Sequence, residues 1–144
     1  MGKAEKRIVT VRLQSNIIDQ TPLDSFEWTT RGEFFHKGDD YYIRFKEAYL
    51  TADEIQTTLK WNGEELLLLR HGDIFMRQSF IVGKETSGRY GTKEAAFETT
   101  AFTDTLRVQL PINEKKGSIE IVYRFRIQGQ HTGTHHLNLT LEEE

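Results

Sequence analysis

Residues 119–127 read Ile119-Glu120-Ile121-Val122-Tyr123-Arg124-Phe125-Arg126-Ile127. Large apolar side chains hold every odd position, while Glu120, Arg124 and Arg126 stand between them. A period of two is the signature of a strand with one face buried. Upstream, Val9, Val11 and Leu13 repeat it, as do Phe34 with Gly32, Thr30, Trp28 and Phe26. Tyr41, Ile43 and Phe45 follow, then Ile55, Thr57 and Leu59, then Leu106, Val108, Leu110 and Ile112. Leu137, Leu139 and Leu141 close the series. No long stretch carries a 3.6-residue stripe, and residues 48–56 hold one helical turn at most. The reading is a single all-β domain.

Turn residues predict registers. Asn62-Gly63 tolerates the positive φ of a two-residue hairpin, which sets Lys60 opposite Glu65, Leu59 opposite Leu66 and Thr57 opposite Leu68. Gly38-Asp39 likewise sets Glu33 opposite Arg44, Phe34 opposite Ile43 and Gly32 opposite Phe45. A loop at Glu114–Gly117 aligns Leu110 with Ile121 and Val108 with Tyr123. One at Gly129–Gly133 aligns Ile127 with His135 and Phe125 with Leu137. Hairpins sharing one apolar face make a meander, and a meander of this length loses its edges by closing. An up-and-down barrel of roughly eight to ten strands is expected. It spans 1–144, with 1–6 and 142–144 frayed.

The chain has 144 residues and no cysteine, so disulfide and thiol chemistry are excluded. A chain this long hides roughly 70% of its unfolded surface, enough for its own core. The net charge of −3 lies in the terminal run Glu142-Glu143-Glu144; the remaining body is neutral. That balance argues against a nucleic-acid partner. No apolar run is long enough to span a bilayer as a helix, and the charged start reads as no secretory signal. A cytoplasmic location is the simplest expectation.

The segment Arg70-His71-Gly72-Asp73-Ile74-Phe75-Met76-Arg77-Gln78-Ser79-Phe80-Ile81-Val82-Gly83-Lys84-Glu85-Thr86, followed by Tyr90, resembles the pattern of the YwiB-like family. Arg70, Gly72, Met76, Gln78, Phe80, Gly83, Thr86 and Tyr90 carry the likeness, with Gly117-Ser118-Ile119, Tyr123 and His135 further on. The resemblance runs over nearly the whole chain. It implies a calycin-type, lipocalin-like barrel and no established activity.

A barrel of about eight strands holds packed side chains or one small ligand, so its inward polar residues are the informative ones. Arg70 follows Leu66 and Leu68 on the inner face. A turn at His71-Gly72-Asp73 sets Met76 beside Leu68 and Gln78 beside Leu66. A guanidinium in an apolar lumen needs a partner. One reading is an anionic head group, such as a fatty-acid carboxylate, held by Arg70 with Gln78, Tyr90, Tyr123 or His135. The other places Arg70 at the mouth, in water or paired with Asp53, Asp73 or a backbone carbonyl. The string His131-Thr132-Gly133-Thr134-His135-His136 is no metal site on this geometry, since adjacent strand side chains diverge. No metal or cofactor is expected.

Phe35, Tyr42, Leu67, Leu69 and Phe75 are expected to point outward and merge into a partner patch, in its simplest form a homodimer face. The residues left over belong to weaker patterns. Arg107 is expected opposite Arg124, beside Arg126, as a solvated basic face. There is no Gly-x-Ser-x-Gly elbow and no His-Glu-x-x-His, and Gln78 stands where a P-loop before Gly83-Lys84 needs glycine. The sequence thus reads as a non-enzymatic binder of a small apolar or anionic amphipathic molecule. An interaction module with a filled lumen is the alternative.

Overall fold

The computed structural model describes residues 5–18, 26–47 and 55–144. Ten strands follow one another: β1 (Arg7–Ile17), β2 (Phe26–Lys37), β3 (Asp40–Glu47), β4 (Ile55–Trp61), β5 (Leu66–His71), β6 (Ile74–Phe80), β7 (Glu85–Thr92), β8 (Ala96–Gln109), β9 (Lys116–Ile127) and β10 (Gln130–Glu143). Each is antiparallel to its chain neighbours. β1 also pairs with β10, from Val9 opposite Glu143 to Ile17 opposite His135, and this seam closes the barrel. The expected helical turn at 48–56 falls mostly on residues outside those described; Ile55 and Gln56 already belong to β4.

The terminal acids are not frayed. Glu142 and Glu143 lie in the β1–β10 ladder, and cations on the neighbouring strands receive them: Arg7 Nη2 stands 2.8 Å from Glu143 Oε1, and Arg31 Nε 3.1 Å from Glu144 Oε1. These are charge-assisted contacts between elements already fixed by the sheet. The Arg7 guanidinium holds the Glu143 carboxyl below the usual carboxylate range, chiefly through its hydrogen bond.

Inward faces follow the predicted alternation. Val9, Val11, Phe34, Ile43, Leu66, Phe80, Ile119, Ile121, Leu139 and Leu141 form a closed core. The Gly38-Asp39 hairpin has the predicted register. Others shift, always by an even number of residues, so every face survives. At Asn62 the side-chain Oδ1 accepts the backbone N–H groups of Glu64 and Glu65, which lengthens the turn by two. Leu59 therefore faces Leu68, and Lys60 faces Leu67 rather than Glu65. In the next hairpin Gln78 faces Leu68 and Met76 faces Arg70, again two residues from expectation.

The last two hairpins move by four. Pro111 has no N–H to give a ladder, so β8 stops before it and Val108 faces Ile119. The final turn is Gln128-Gly129, both at positive φ, and His135 faces Tyr123 rather than Ile127. Two irregularities complete the sheet. One at Thr103/Thr105 flips the inward positions of β8 from odd to even, and one at His131/Gly133 inserts Thr132 as an extra residue in β10.

Candidate functional site

At the end of the lumen away from the closed core, side chains no longer meet. A cavity of about 150 Å3 opens there between β1, β3, β4, β5, β6, β9 and β10. Leu13, Leu59, Leu68, Met76, Leu137 and Leu139 supply its apolar wall. Its polar groups are Arg70, Glu47, Thr57, Ser15 and Tyr123, each delivered by the alternation that puts a leucine or phenylalanine two residues away.

Arg70 faces this cavity, and its partner is Glu47. The Nη2 donates to Glu47 Oε1 at 3.0 Å, and Thr57, opposite Arg70 in the ladder, donates its hydroxyl to Glu47 Oε2. Glu47 is 6% exposed, so its charge stays inside the protein only because a cation and a hydroxyl meet it. The Arg70 Nε is buried and meets no acceptor. Of the expected partners, Asp53 lies outside the described residues, and the carboxylate 3.0 Å from Arg70 Nη2 belongs to Glu47 and not to Asp73.

Glu47 was absent from the sequence-based candidates, although the signal was there. It continues the inward series Tyr41, Ile43, Phe45, so alternation alone aims a carboxylate at the lumen.

Tyr123 and His135 stack face to face beside the cavity, their ring centroids 5.2 Å apart and 13° from parallel. Phe125 meets the His135 ring edge-on, and the Thr132 hydroxyl, 3.0 Å from Phe125 O, lies 2.9 Å from His135 Nε2. Burial pushes the Tyr123 phenol up to about 12, with Arg70 pulling weakly the other way, so it is neutral at pH 7.

The pattern of a family described as "Domain of unknown function (DUF1934)" matches residues 9–139. The chain belongs to the DUF1934 family. A curated relative is the "Uncharacterized beta-barrel protein YwiB" of Bacillus subtilis (strain 168), 27% identical over 134 residues, which cover 93% of this chain and 92% of YwiB. The crystal structure of the ywiB protein from Bacillus subtilis matches with a TM-score of 0.83 at 26% identity, over 96% of this chain and 93% of that one. The resemblance carried by Arg70–Thr86 and Tyr90 agrees with both.

Not every candidate residue of the DUF1934 barrel reaches the cavity. Gln78 is fully buried, but in a knot of its own: its Nε2 donates to Ser79 O, Thr86 O and Thr86 Oγ1, and its Oε1 accepts from Thr99 Oγ1 at 2.6 Å. Its two N–H donors are used within the barrel wall, and its complete burial keeps the amide from a ligand. Gly88 sits opposite, where any Cβ would run into Arg77 O and Gln78 Oε1. Tyr90 faces Met76 and Phe97 across its neighbouring strands and does not line the cavity.

The outward residues do not merge. Phe35 stacks on Tyr42 at 5.0 Å, with Arg44 and Lys6 over the Phe35 ring and Lys60 over the Tyr42 ring. Lys60 stands between Tyr42 and Leu67, and Thr58 between Arg44 and Leu69. Phe75 lies farther along, opposite Gly91. The Arg107–Arg124 pair is also undone, because the four-residue shift puts Glu120 opposite Arg107 and Asp104 beside Arg124.

His135 and His136 take opposite faces, the latter 2.8 Å from Glu120. Among the described residues no three His, Cys, Asp or Glu side chains converge as metal ligands, and no helix is long and apolar enough to cross a membrane.

Proposed function

We propose that this DUF1934 barrel binds a small amphipathic molecule, about the size of a phenol, in the Arg70 end of its lumen. The observation that carries the reading is a cavity of about 150 Å3, walled by leucines, into which a paired but incompletely hydrogen-bonded guanidinium projects. A cavity of similar volume engineered into another protein holds benzene, so one ring fits and a long fatty-acid chain does not. The head group follows from charge. Arg70 and Glu47 cancel, and Tyr123 is neutral, which favours an uncharged hydroxyl or carbonyl over the carboxylate suggested by Arg70 alone. A calycin-type affiliation, as the resemblance implies, is consistent with a ligand in the lumen.

Titration of the methyl-labelled protein with p-cresol tests the reading. Eight heavy atoms at roughly 0.6 kcal/mol each give about 5 kcal/mol, a Kd of roughly 0.2 mM. Saturable shifts confined to Leu59, Leu68, Met76, Leu137 and Leu139 are expected. Shifts spread over the surface, or none up to 5 mM (about 25 times that Kd), would remove the proposal. Laurate binding tighter than p-cresol would overturn the size limit.

A further inference from the structure

We infer that the outer face of β6–β9 is a binding site for the phosphate ester of a small hydroxylated molecule, held by Arg77, Arg89 and Arg126. The inference concerns the outside of the barrel and is independent of the lumen. It starts from an asymmetry in how the chain treats its arginines. Every other arginine stands within ion-pair distance of a carboxylate, from Arg7 with Glu143 to Arg124 with Asp104. Among the described residues, Arg77, Arg89 and Arg126 have no such partner. These three share one face.

The ladder fixes their positions. Arg77 is directly opposite Arg89, a like-charge pair that destabilises a sheet unless something negative lies over it. Arg126 is opposite Thr100, one strand beyond and two residues along from Glu98, the residue facing Arg89. Neighbouring strands lie about 4.8 Å apart and a two-residue step is about 6.8 Å, which puts the Arg89 and Arg126 backbones roughly 12 Å apart. Two flexible guanidiniums reach across that span to one ligand.

Two adjoining grooves occupy the space. One runs over Arg77, Ser87, Gly88 and Arg89; the other runs over Arg126, Gln128 and Glu85; Glu98, Thr99 and Thr100 border both. The floor is made of small side chains, so backbone and hydroxyl groups are within reach of a ligand. Planar guanidiniums give paired N–H donors to phosphate oxygens, and the Ser87 and Thr100 hydroxyls add donors that need no charge. Two acids, Glu98 and Glu85, share the grooves. They repel a bare anion but accept hydrogen bonds from ligand hydroxyls, which is why the geometry points to a phosphorylated polyol rather than to inorganic phosphate. No aromatic ring lines either groove, so a base-stacking nucleic acid has nothing to stack on.

The test is amide-shift titration of the full chain with glycerol 3-phosphate and, separately, with inorganic phosphate, at ionic strength held constant with chloride. Saturating shifts at Ser87, Gly88, Thr100 and Gly129 are expected, at least fivefold tighter for the ester. Arg77→Gln and Arg89→Gln should each weaken binding about tenfold, while Arg107→Gln, already paired with Glu120, leaves it unchanged. Shifts that do not saturate, equal affinity for the two probes, or an equal loss in Arg107→Gln would each overturn the assignment. All three arginines are exposed, so the variants fold and the comparison holds.

Discussion

Replacing Gln78 by leucine separates a structural amide from a ligand-binding one. The side chain is fully buried and takes part in four hydrogen bonds within the barrel. Leucine has nearly the same volume, so little cavity forms, but Thr99 Oγ1 is left buried without its acceptor. An orphaned buried hydroxyl costs about 1–3 kcal/mol, and each net hydrogen bond lost adds about 1 kcal/mol. Thr86 Oγ1 still donates to Ser79 O, which limits the damage. The expected loss is about 3 kcal/mol. With an unfolding entropy near 0.3 kcal/mol per kelvin for a chain of this length, Tm falls by about 10 °C. Urea unfolding of wild type, Gln78→Leu, Thr99→Val and the double variant measures the coupling. Thr99→Val in the leucine background removes the orphan and should recover about 1–2 kcal/mol. A single-variant loss below about 1 kcal/mol, or strict additivity, would refute the knot.

Three further outcomes follow from the same geometry. Thr103 is fully buried and its hydroxyl has no partner, so Thr103→Val should raise stability by roughly 1 kcal/mol in urea melts. Glu47→Gln leaves Arg70 inside without a counter-charge and should lower stability by about 2–4 kcal/mol, whereas a surface pair such as Arg12–Glu27 contributes under about 1 kcal/mol. Tyr123 is raised from 10 to about 12 in the folded barrel, so its contribution is whole below pH 10 and is lost as pH climbs toward 12. About 2–3 kcal/mol should disappear over that window in wild type, and Tyr123→Phe should lack this component when midpoints are compared pH by pH.

Side-chain direction was legible in the sequence because it depends only on parity. Leu68, Arg70, Tyr123 and Leu139 all face inward as alternation predicts, even where their partners differ by two or four residues. Turn length was not legible from strand pattern. It depended on local bonds such as those of Asn62 Oδ1, on the missing N–H of Pro111, and on the positive φ of Gln128, a residue with no strong preference for that region. The polar sites divide the same way. That Arg70 would need a partner follows from solvation; that Glu47 supplies it depends on the β3–β4–β5 register. Gln78 resembled a ligand group because inward polarity alone does not distinguish a satisfied amide from a waiting one. Only the neighbours Thr86 and Thr99, from two other strands, make that distinction.

The β1–β10 seam sets the order in which such a molecule can be assembled. Nine of the ten strand pairings join segments adjacent in the chain, and the tenth brings Ile17 to His135 across almost its whole length. Closing a loop that long costs on the order of 3 kcal/mol more entropy than closing a hairpin turn. A circular permutant with its old ends tethered and a new opening at Lys93-Glu94 turns that seam into a hairpin. The long closure then passes to the β7–β8 pairing, which becomes the slow final stitch at a similar entropic cost.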